Sequence, residues 1–334
     1  MAENTHTISV VIPVYQAERT LEPVLAELER WHEPFTTPDG HRARVSEVLL
    51  VHDCGPDASD HLMRQVAAAH DWVRLVWLSR NFGQHAATLA GMSSSGGDWV
   101  ATIDEDGQHD PADLAVMLDR AMAEQADVVY AAPMNPPPHG FLRNTASRLA
   151  KRSIRWFTGR PEAEIFHSYR LILGDVARSV AAYAGSGVYL DIALNWVSRR
   201  ATTAPVRLRH EGDRPSGYSW RTLMSHYWRM VVTGGTRILR LVSLVGVLLA
   251  VLGFLVAVVV AVARIFGRID VTGWSSTMVV LLISAGAILV AIGVVAEYVG
   301  VAVNMAMGKP LYLIVSDRAD GPLKRPKSTS HTGP

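Results

Sequence analysis

Lysine is missing from the first 142 of the 334 residues, where 8 Arg stand against 21 acids. The remainder carries 24 basic residues and only 10 acids, so a formal net charge of +1 conceals an acidic half followed by a basic one. The basic half is also the apolar half, a combination that suits an anionic membrane surface better than nucleic acid. Cysteine is nearly absent. Cys54 alone cannot close an intramolecular disulfide, which excludes a stapled secreted scaffold and fits a reducing compartment. The opening MAENTHTISVVIPV has no basic n-region of a secretory signal, so the amino-terminal part is expected in the cytoplasm. No G-x-G-x-x-G or G-x-x-x-x-G-K-[ST] loop follows any candidate strand, which argues against dinucleotide enzymes and P-loop hydrolases, and there is no G-x-S-x-G elbow. Charge itself is scarce at 19%, against 49% hydrophobic residues, a balance too apolar for an ordinary soluble protein of this length.

What is present explains that balance. Leu241–Ala263 and Trp274–Ala296 each run 23 positions without a charge. At about 1.5 Å per helical residue, either can cross a hydrocarbon core of about 30 Å. They read as a two-helix transmembrane hairpin. Arg229, Arg237 and Arg240 precede it, and Lys309, Arg318, Lys324, Arg325 and Lys327 follow it, so both flanks are expected in the cytoplasm and the connector Arg264–Gly273 on the other side. From Arg199 to Arg240 there are nine Arg, two acids and the interleaved rings Trp220, Tyr227 and Trp228, which describe an amphipathic helix in the headgroup layer. The Pro-, Ser-, Thr- and Lys-rich tail from Arg318 reads as disordered.

Before the spans, continuous apolar runs alternate with helical patterns: Ile8–Val14, Leu21–Trp31, Val48–Val51, Asp60–His70, Val73–Leu78, His85–Ser93 and Trp99–Ile103. Apolar strands separated by helices imply an α/β domain with a mainly parallel sheet covered on both faces. Ligands of such sheets bind beyond the carboxyl ends of the strands, so the residues after Val14, Val51, Leu78 and Ile103 are the candidates. After Ile103 comes Asp104-Glu105-Asp106-Gly107-Gln108. Carboxylates at alternate positions of a segment leaving a sheet can share a hard Mg²⁺ or Mn²⁺ with the oxygens of a diphosphate and stabilise it as a leaving group. Asp104 and Asp106 are the metal candidates, with Gln108 as a neutral third contact; an acidic solvated loop is the bland alternative.

The order Val11-Ile12-Pro13-Val14-Tyr15, Asp53, Leu78-Ser79-Arg80-Asn81-Phe82-Gly83, Asp104-x-Asp106-x-Gln108, then two spans ending in Ala296-Glu297-Tyr298-Val299-Gly300 and Gly308-Lys309-Pro310-Leu311-Tyr312 resembles the polyprenyl-phosphate glycosyltransferases of glycosyltransferase family two. Dolichyl-phosphate mannose synthase and the bacterial polyprenyl-phosphate glucosyltransferases are of this kind. The resemblance covers residues 8–315 and implies a GT-A fold, Rossmann-like, that moves a sugar from a UDP- or GDP-linked donor to a membrane polyprenyl phosphate such as undecaprenyl or decaprenyl phosphate. It further implies a homo-oligomer, a tetramer, in a bacterial-type plasma membrane with both termini cytoplasmic. The domains read as 1–215 catalytic, 216–240 interfacial, 241–300 spanning and 301–334 cytoplasmic.

By that resemblance Pro13, Tyr15, Glu18 and Asp53 face the nucleoside, although His52-Asp53-Cys54-Gly55 departs from the usual pair of adjacent acids. Without it, Asp53 is equally well a helix cap or turn residue. Arg80 and Asn81 are candidates for base or diphosphate contact, or loop residues with their own hydrogen bonds. Arg143–Arg160 contains six basic residues and no acid, with Arg148, Arg152 and Arg155 on one helical face. The resemblance makes Arg143, Arg148 and Arg152 acceptor-phosphate contacts; headgroup attraction is the alternative. Ser168-Tyr169-Arg170-Leu171 stands where the family has an active-centre Arg, which makes Ser168 and Arg170 candidates. Asp191 is the candidate acceptor-side carboxylate, with Glu162 and Glu164 as other nearby acids. Arg209 to Tyr218 is similar to a flexible R-x-x-G-x-S-x-Y loop, in which Arg209 or Arg214, with Ser216 and Tyr218, meets the diphosphate and closes as a lid. The phosphate nucleophile, with a second pKa near 6, is largely dianionic at neutral pH and needs little base catalysis. In-line attack then inverts the anomeric centre. A processive polysaccharide synthase and a catalytically silent membrane adaptor are the competing readings.

Overall fold

The computed structural model describes residues 5–134, 166–185, 188–209, 228, 237–266, 273–308 and 310–320. The chain forms two compact units, one of residues 1–140, 165–217 and 310–334, the other of 141–164 and 218–309.

The first unit is built on β1 (His6–Val14), whose apolar run is buried on both faces, with Val10, Val11 and Ile12 wholly inaccessible. It pairs in parallel with β3 (Arg42–His52) on one side and β5 (Trp99–Thr102) on the other, and β3 pairs in parallel with β4 (Val73–Leu78). Helices α1 (Leu21–Glu29), α2 (Ser59–Ala69), α3 (Gln84–Ser94) and α4 (Asp113–Glu124) follow β1, β3, β4 and β5 in turn. The remaining strands are β6 (Val128–Pro133), β7 (Arg170–Leu173) and β8 (Ala201–Val206). The sheet order is β8-β6-β7-β5-β1-β3-β4-β9, where β9 is Ile314–Val315. Only β7 interrupts the parallel interior: it runs antiparallel between β5 and β6, which puts Arg170 opposite Thr102 at the carboxyl end of β5. The architecture is the mainly parallel α/β sheet that the alternating runs imply.

Two strands are too short to show a period in the sequence. Within the stretch Glu33–Val45, which reads as a polar insertion, β2 (Phe35–Thr36) folds back antiparallel on the start of β3. Arg42-Ala43-Arg44-Val45 alternates exposed and buried residues, the period of a half-covered strand. The second is β9, which brings the chain after the spans back onto β4. Residues 318–320 of the tail continue from it, and 321–334 lie outside the described residues.

Helices α5 (Gly174–Tyr183) and α6 (Leu190–Val197) complete the first unit. The second unit contains α7 (Arg237–Ile265) and α8 (Trp274–Ala306), both long and apolar enough to cross a membrane. They extend beyond the uncharged windows, through Arg237, Arg240 and Glu297, because a charge on a helix surface does not end the helix. Ser243, Thr277 and Ser284 donate to the carbonyls of Leu239, Gly273 and Val280 at 2.8–3.0 Å, so these hydroxyls are satisfied by the preceding turn of backbone.

Helix α3 lies close on the sheet because its packing residue is Gly91. A Cβ there would stand 2.3 Å from Val11 Cγ1 and 3.0 Å from Val51 Cγ2, both on stiff β-branched side chains. Gly91→Ala is expected to destabilise the domain by about 1–3 kcal/mol through overpacking. Gly96→Ala, where the nearest atom is Glu47 Oε1 at 3.6 Å, is expected to cost less than half of that. Unfolding midpoints of the two variants in detergent check the difference.

Candidate active site

The carboxyl ends of β1, β3, β4 and β5 converge on one edge of the sheet, and their loops are joined by carboxylates that accept backbone N–H groups. The Glu105 carboxylate receives the N–H of Tyr15 (2.7 Å) and of Gln16 (3.1 Å). Ser59 Oγ receives Ala17 N–H at 2.9 Å, and Asp57 receives Glu18 N–H at 3.2 Å. Four consecutive amides after β1 are thereby held by the loops of its two neighbours. Pro13 fits here. Val11 accepts from Ile103, so alternate residues of β1 face β5, and the N–H that Pro13 lacks would point past the end of that ladder. Tyr15 remains exposed and Pro13 and Glu18 accessible, which leaves this loop open to a ligand. Gly55 packs under it: a Cβ at that position would fall 1.5 Å from the Tyr15 carbonyl oxygen.

Asp53 is buried and accepts from Phe82 N–H (2.7 Å) and Gly83 N–H (2.8 Å), thereby anchoring the turn after β4. Burial pushes its carboxyl up, and the two amide bonds oppose that. Cys54 takes φ +52, a left-handed conformation rare for a side-chain-bearing residue, and its thiol donates to Leu78 O at 3.2 Å. The His52 ring is packed against Trp77, 5.0 Å between centroids. Arg80 lies over the Phe82 ring at 4.1 Å and donates to Asn81 O, while Asn81 Oδ1 accepts from Gly83 N–H. These two side chains stay exposed and shape the turn as well as facing outward from it.

Beyond β5, Asp104 Oδ1 accepts from Gln84 Nε2 and Oδ2 from Ser168 Oγ, each at 2.6 Å. Asp104 N–H donates to His109 Nδ1 at 3.1 Å, which puts the proton of the neutral ring on Nε2, 3.8 Å from Asp104 Oδ2. Asp106 Oδ1 accepts Gln108 N–H at 3.0 Å. Among the described residues no three His, Cys, Asp or Glu side chains form a metal cage. Two carboxylates in one turn are the donor set of a Mg²⁺ or Mn²⁺ that completes its shell with substrate oxygens and water, so the residues present fit such a cation. Gln108, the expected third contact, has its backbone engaged on both sides, N–H to Asp106 and C=O to Arg209 N–H.

Thr102 Oγ1 donates to Ser168 O at 2.6 Å and accepts from Arg170 Nη1 at 3.3 Å. Arg170 pairs with Asp191 at 2.9 Å, both buried. Burial raises the Asp191 carboxyl, opposed by Arg170 and by the hydroxyl of buried Tyr130. Asp191, read from sequence as an acceptor-side carboxylate, is here a brace for Arg170, and burial keeps it from solvent. Arg209 spans Glu27 (2.6 Å) and Asp110 (2.7 Å), which ties the chain leaving β8 to the acidic loop. Arg143, Arg148, Arg152, Arg214, Ser216, Tyr218, Glu162 and Glu164 lie outside the described residues, as does most of the interfacial helix expected over 216–240. Sequence reasoning passed over Glu105, Gln84 and His109. Their one visible signal was position, two of them inside the acidic motif and the third opening the helix after β4.

Residues 9–183 match the model of glycosyl transferase family 2. Undecaprenyl-phosphate 4-deoxy-4-formamido-L-arabinose transferase of Proteus mirabilis (strain HI4320) is 30% identical over 315 residues, 93% of this chain and 94% of that one. The enzyme of the same name from Klebsiella pneumoniae (strain 342) is 30% identical over 310 residues, 92% of each chain. Among solved structures, a mannosyltransferase from Pyrobaculum calidifontis in complex with GDP-Man and Mn²⁺ aligns with a TM-score of 0.48 at 17% identity, over 71% of this chain and 65% of that one. The chain belongs to glycosyl transferase family 2 and is a glycosyltransferase.

Two outcomes follow from the geometry. Burial, helped by Arg170 and opposed by Asp106, lowers His109 from 6.5 to about 4. The unfolded chain therefore takes up this proton first: the contribution is full above about pH 6.5 and is lost as pH falls toward about 4. Unfolding midpoints in chelator at pH 7 and pH 5 should differ less in His109→Gln, which keeps an acceptor for Asp104 N–H. Gly55→Ala forces the Tyr15 loop to move and is expected to destabilise the domain by about 1–3 kcal/mol, as a clash with backbone has no side-chain escape; its unfolding midpoint in detergent reads it.

Proposed function

We propose that this enzyme transfers a sugar from a nucleoside diphosphate to a membrane polyprenyl phosphate with inversion at the anomeric carbon. One observation carries the reading: the likeness to undecaprenyl-phosphate sugar transferases runs over 93% of the chain, through the apolar helices as well as the catalytic sheet. A soluble acceptor requires no such anchor.

The nucleoside rests on the loop Tyr15–Glu18, whose amides Glu105, Ser59 and Asp57 hold in place before any ligand arrives. Arg80 and Asn81 flank the donor, and Asp53 sets their turn. Asp104 and Asp106 would hold a divalent cation, Mg²⁺ or Mn²⁺, and when bound such an ion would supply positive charge for the diphosphate. Gln84 and Ser168 orient Asp104 for that task, and the Arg170–Asp191 pair keeps the floor of the site rigid at no net charge. Arg209 or Arg214 completes the diphosphate side. The lipid phosphate attacks in line; as a dianion it needs positioning more than a base. The basic residues of 143–160 supply the acceptor side, and the hairpin leaves the catalytic unit on the more basic, cytoplasmic face.

The test is transfer of radiolabelled sugar from a panel of UDP- and GDP-sugars to undecaprenyl phosphate by purified protein in detergent, with and without Mn²⁺. A metal-dependent, organic-extractable product is expected. Polymer without lipid would favour a processive synthase, and no nucleotide-sugar binding with metal present would favour an adaptor. Asp106→Ala should lower turnover at least about 100-fold, the scale of losing transition-state charge stabilisation, with its unfolding midpoint retained. Retained turnover at saturating metal overturns the assignment.

A further inference from the structure

The chain does not finish with the second long helix. Residues 310–320 return to the catalytic unit and lie along the free edge of β4, with Ile314 opposite Leu78 and Val315 opposite Trp77. The bonds of this strap converge just beyond the end of the strand. Ser79 N–H donates to Leu313 O at 3.0 Å, and Ser79 C=O accepts from Arg318 Nη2 at 3.1 Å. The peptide groups on either side of Ser79 are thus held by the strap.

The strap in turn is fixed by one guanidinium. Arg64 on α2 meets Asp317 with both edges of its fork, Nε to Oδ2 at 2.6 Å and Nη2 to Oδ1 at 2.9 Å. It also pairs with Asp60 one turn earlier and lies over the Trp77 ring at 4.8 Å. Asp317 takes the Ala319 N–H as well, at 2.9 Å, and its side chain is only 11% exposed. A two-residue strand is a weak attachment; a bidentate pair on a largely covered carboxylate is a stronger one. Ser79 opens the turn Arg80–Gly83, whose far end hangs on Asp53 through the Phe82 and Gly83 amides. The turn is therefore pinned at both ends, by Asp53 at one and by the strap at the other.

We propose that Arg64 and Asp317 are positioning residues for the donor site: through the strap and Ser79 they hold the Arg80–Asn81 turn in the form that receives the nucleotide. The proposal rests on the assignment of that turn to the donor. Neither residue touches the reactants in this scheme, and the acceptor side does not depend on them.

The experiment uses the full chain with Asp317→Ala, Arg64→Ala and the conservative Asp317→Glu. Hydrogen exchange is followed over residues 78–83, and initial rates are measured against donor and against lipid acceptor separately. Both alanine variants should speed exchange over 79–83 and raise the donor KM about fivefold, the scale of one ordinary hydrogen bond. The kcat and the acceptor KM should stay within about twofold, and Asp317→Glu should recover most of the donor KM. An unmoved donor KM in an otherwise active Asp317→Ala enzyme overturns the proposal and leaves the strap a cover for the sheet edge. Parallel loss of kcat and both KM values overturns it too, since that marks a general structural role. Failure of the unsubstituted enzyme to transfer from any donor would overturn the donor-site reading itself, a distinguishable result.

Discussion

A parallel sheet ends in loops whose backbone N–H groups no ladder can receive, and here each neighbouring loop supplies an acceptor. The order β5-β1-β3-β4 fixes who serves whom. Glu105, beyond β5, and Ser59 with Asp57, beyond β3, take the four amides after β1, while Asp53 takes the two that close the turn after β4. A carboxylate accepts only, so each of these side chains adds acceptors where the loops have donors to spare.

The same arrangement means that the loops proposed for the donor are organised without ligand. Loops already held by charged acceptors lose little freedom on binding. Asp104 belongs to a connected set running through Ser168 and Thr102 to Arg170, Asp191 and Tyr130. Within it the buried ion pair is costly to desolvate and costly to split, since either partner alone would be a stranded charge. A pair of this kind contributes definition more than stability: it allows one arrangement beneath the acidic loop and penalises the others.

Much of this was legible in the order of residues. The strands declared themselves as apolar runs, and β1, β4, α2 and α3 fall within two residues of the patterns that suggest them. The metal-type carboxylates stand where a parallel strand must end. What escaped was non-local. Glu105 reads as a filler between two aspartates until β1 brings Tyr15 to it from 90 positions away. Asp191 reads as an available acid because nothing in its vicinity announces Arg170, which reaches it only after β7 has inserted beside β5. Short edge strands such as β2 and β9 carry too few residues for a period to show, and the hydrogen bonds that define them lie in the partner strand.

The position of β9 changes how the apolar hairpin should be regarded. The first unit breaks off at 217 and resumes at 310, so the two long apolar helices are an insertion within it, not an appendage to it. Synthesis from the amino terminus therefore delivers eight of the nine described strands before these helices, and the ninth, which pairs with the edge of β4, only after them. Until then the nascent sheet presents an open row of N–H and C=O groups of the sort that invites wrong pairing. The sheet can therefore be completed only after both apolar helices have been made.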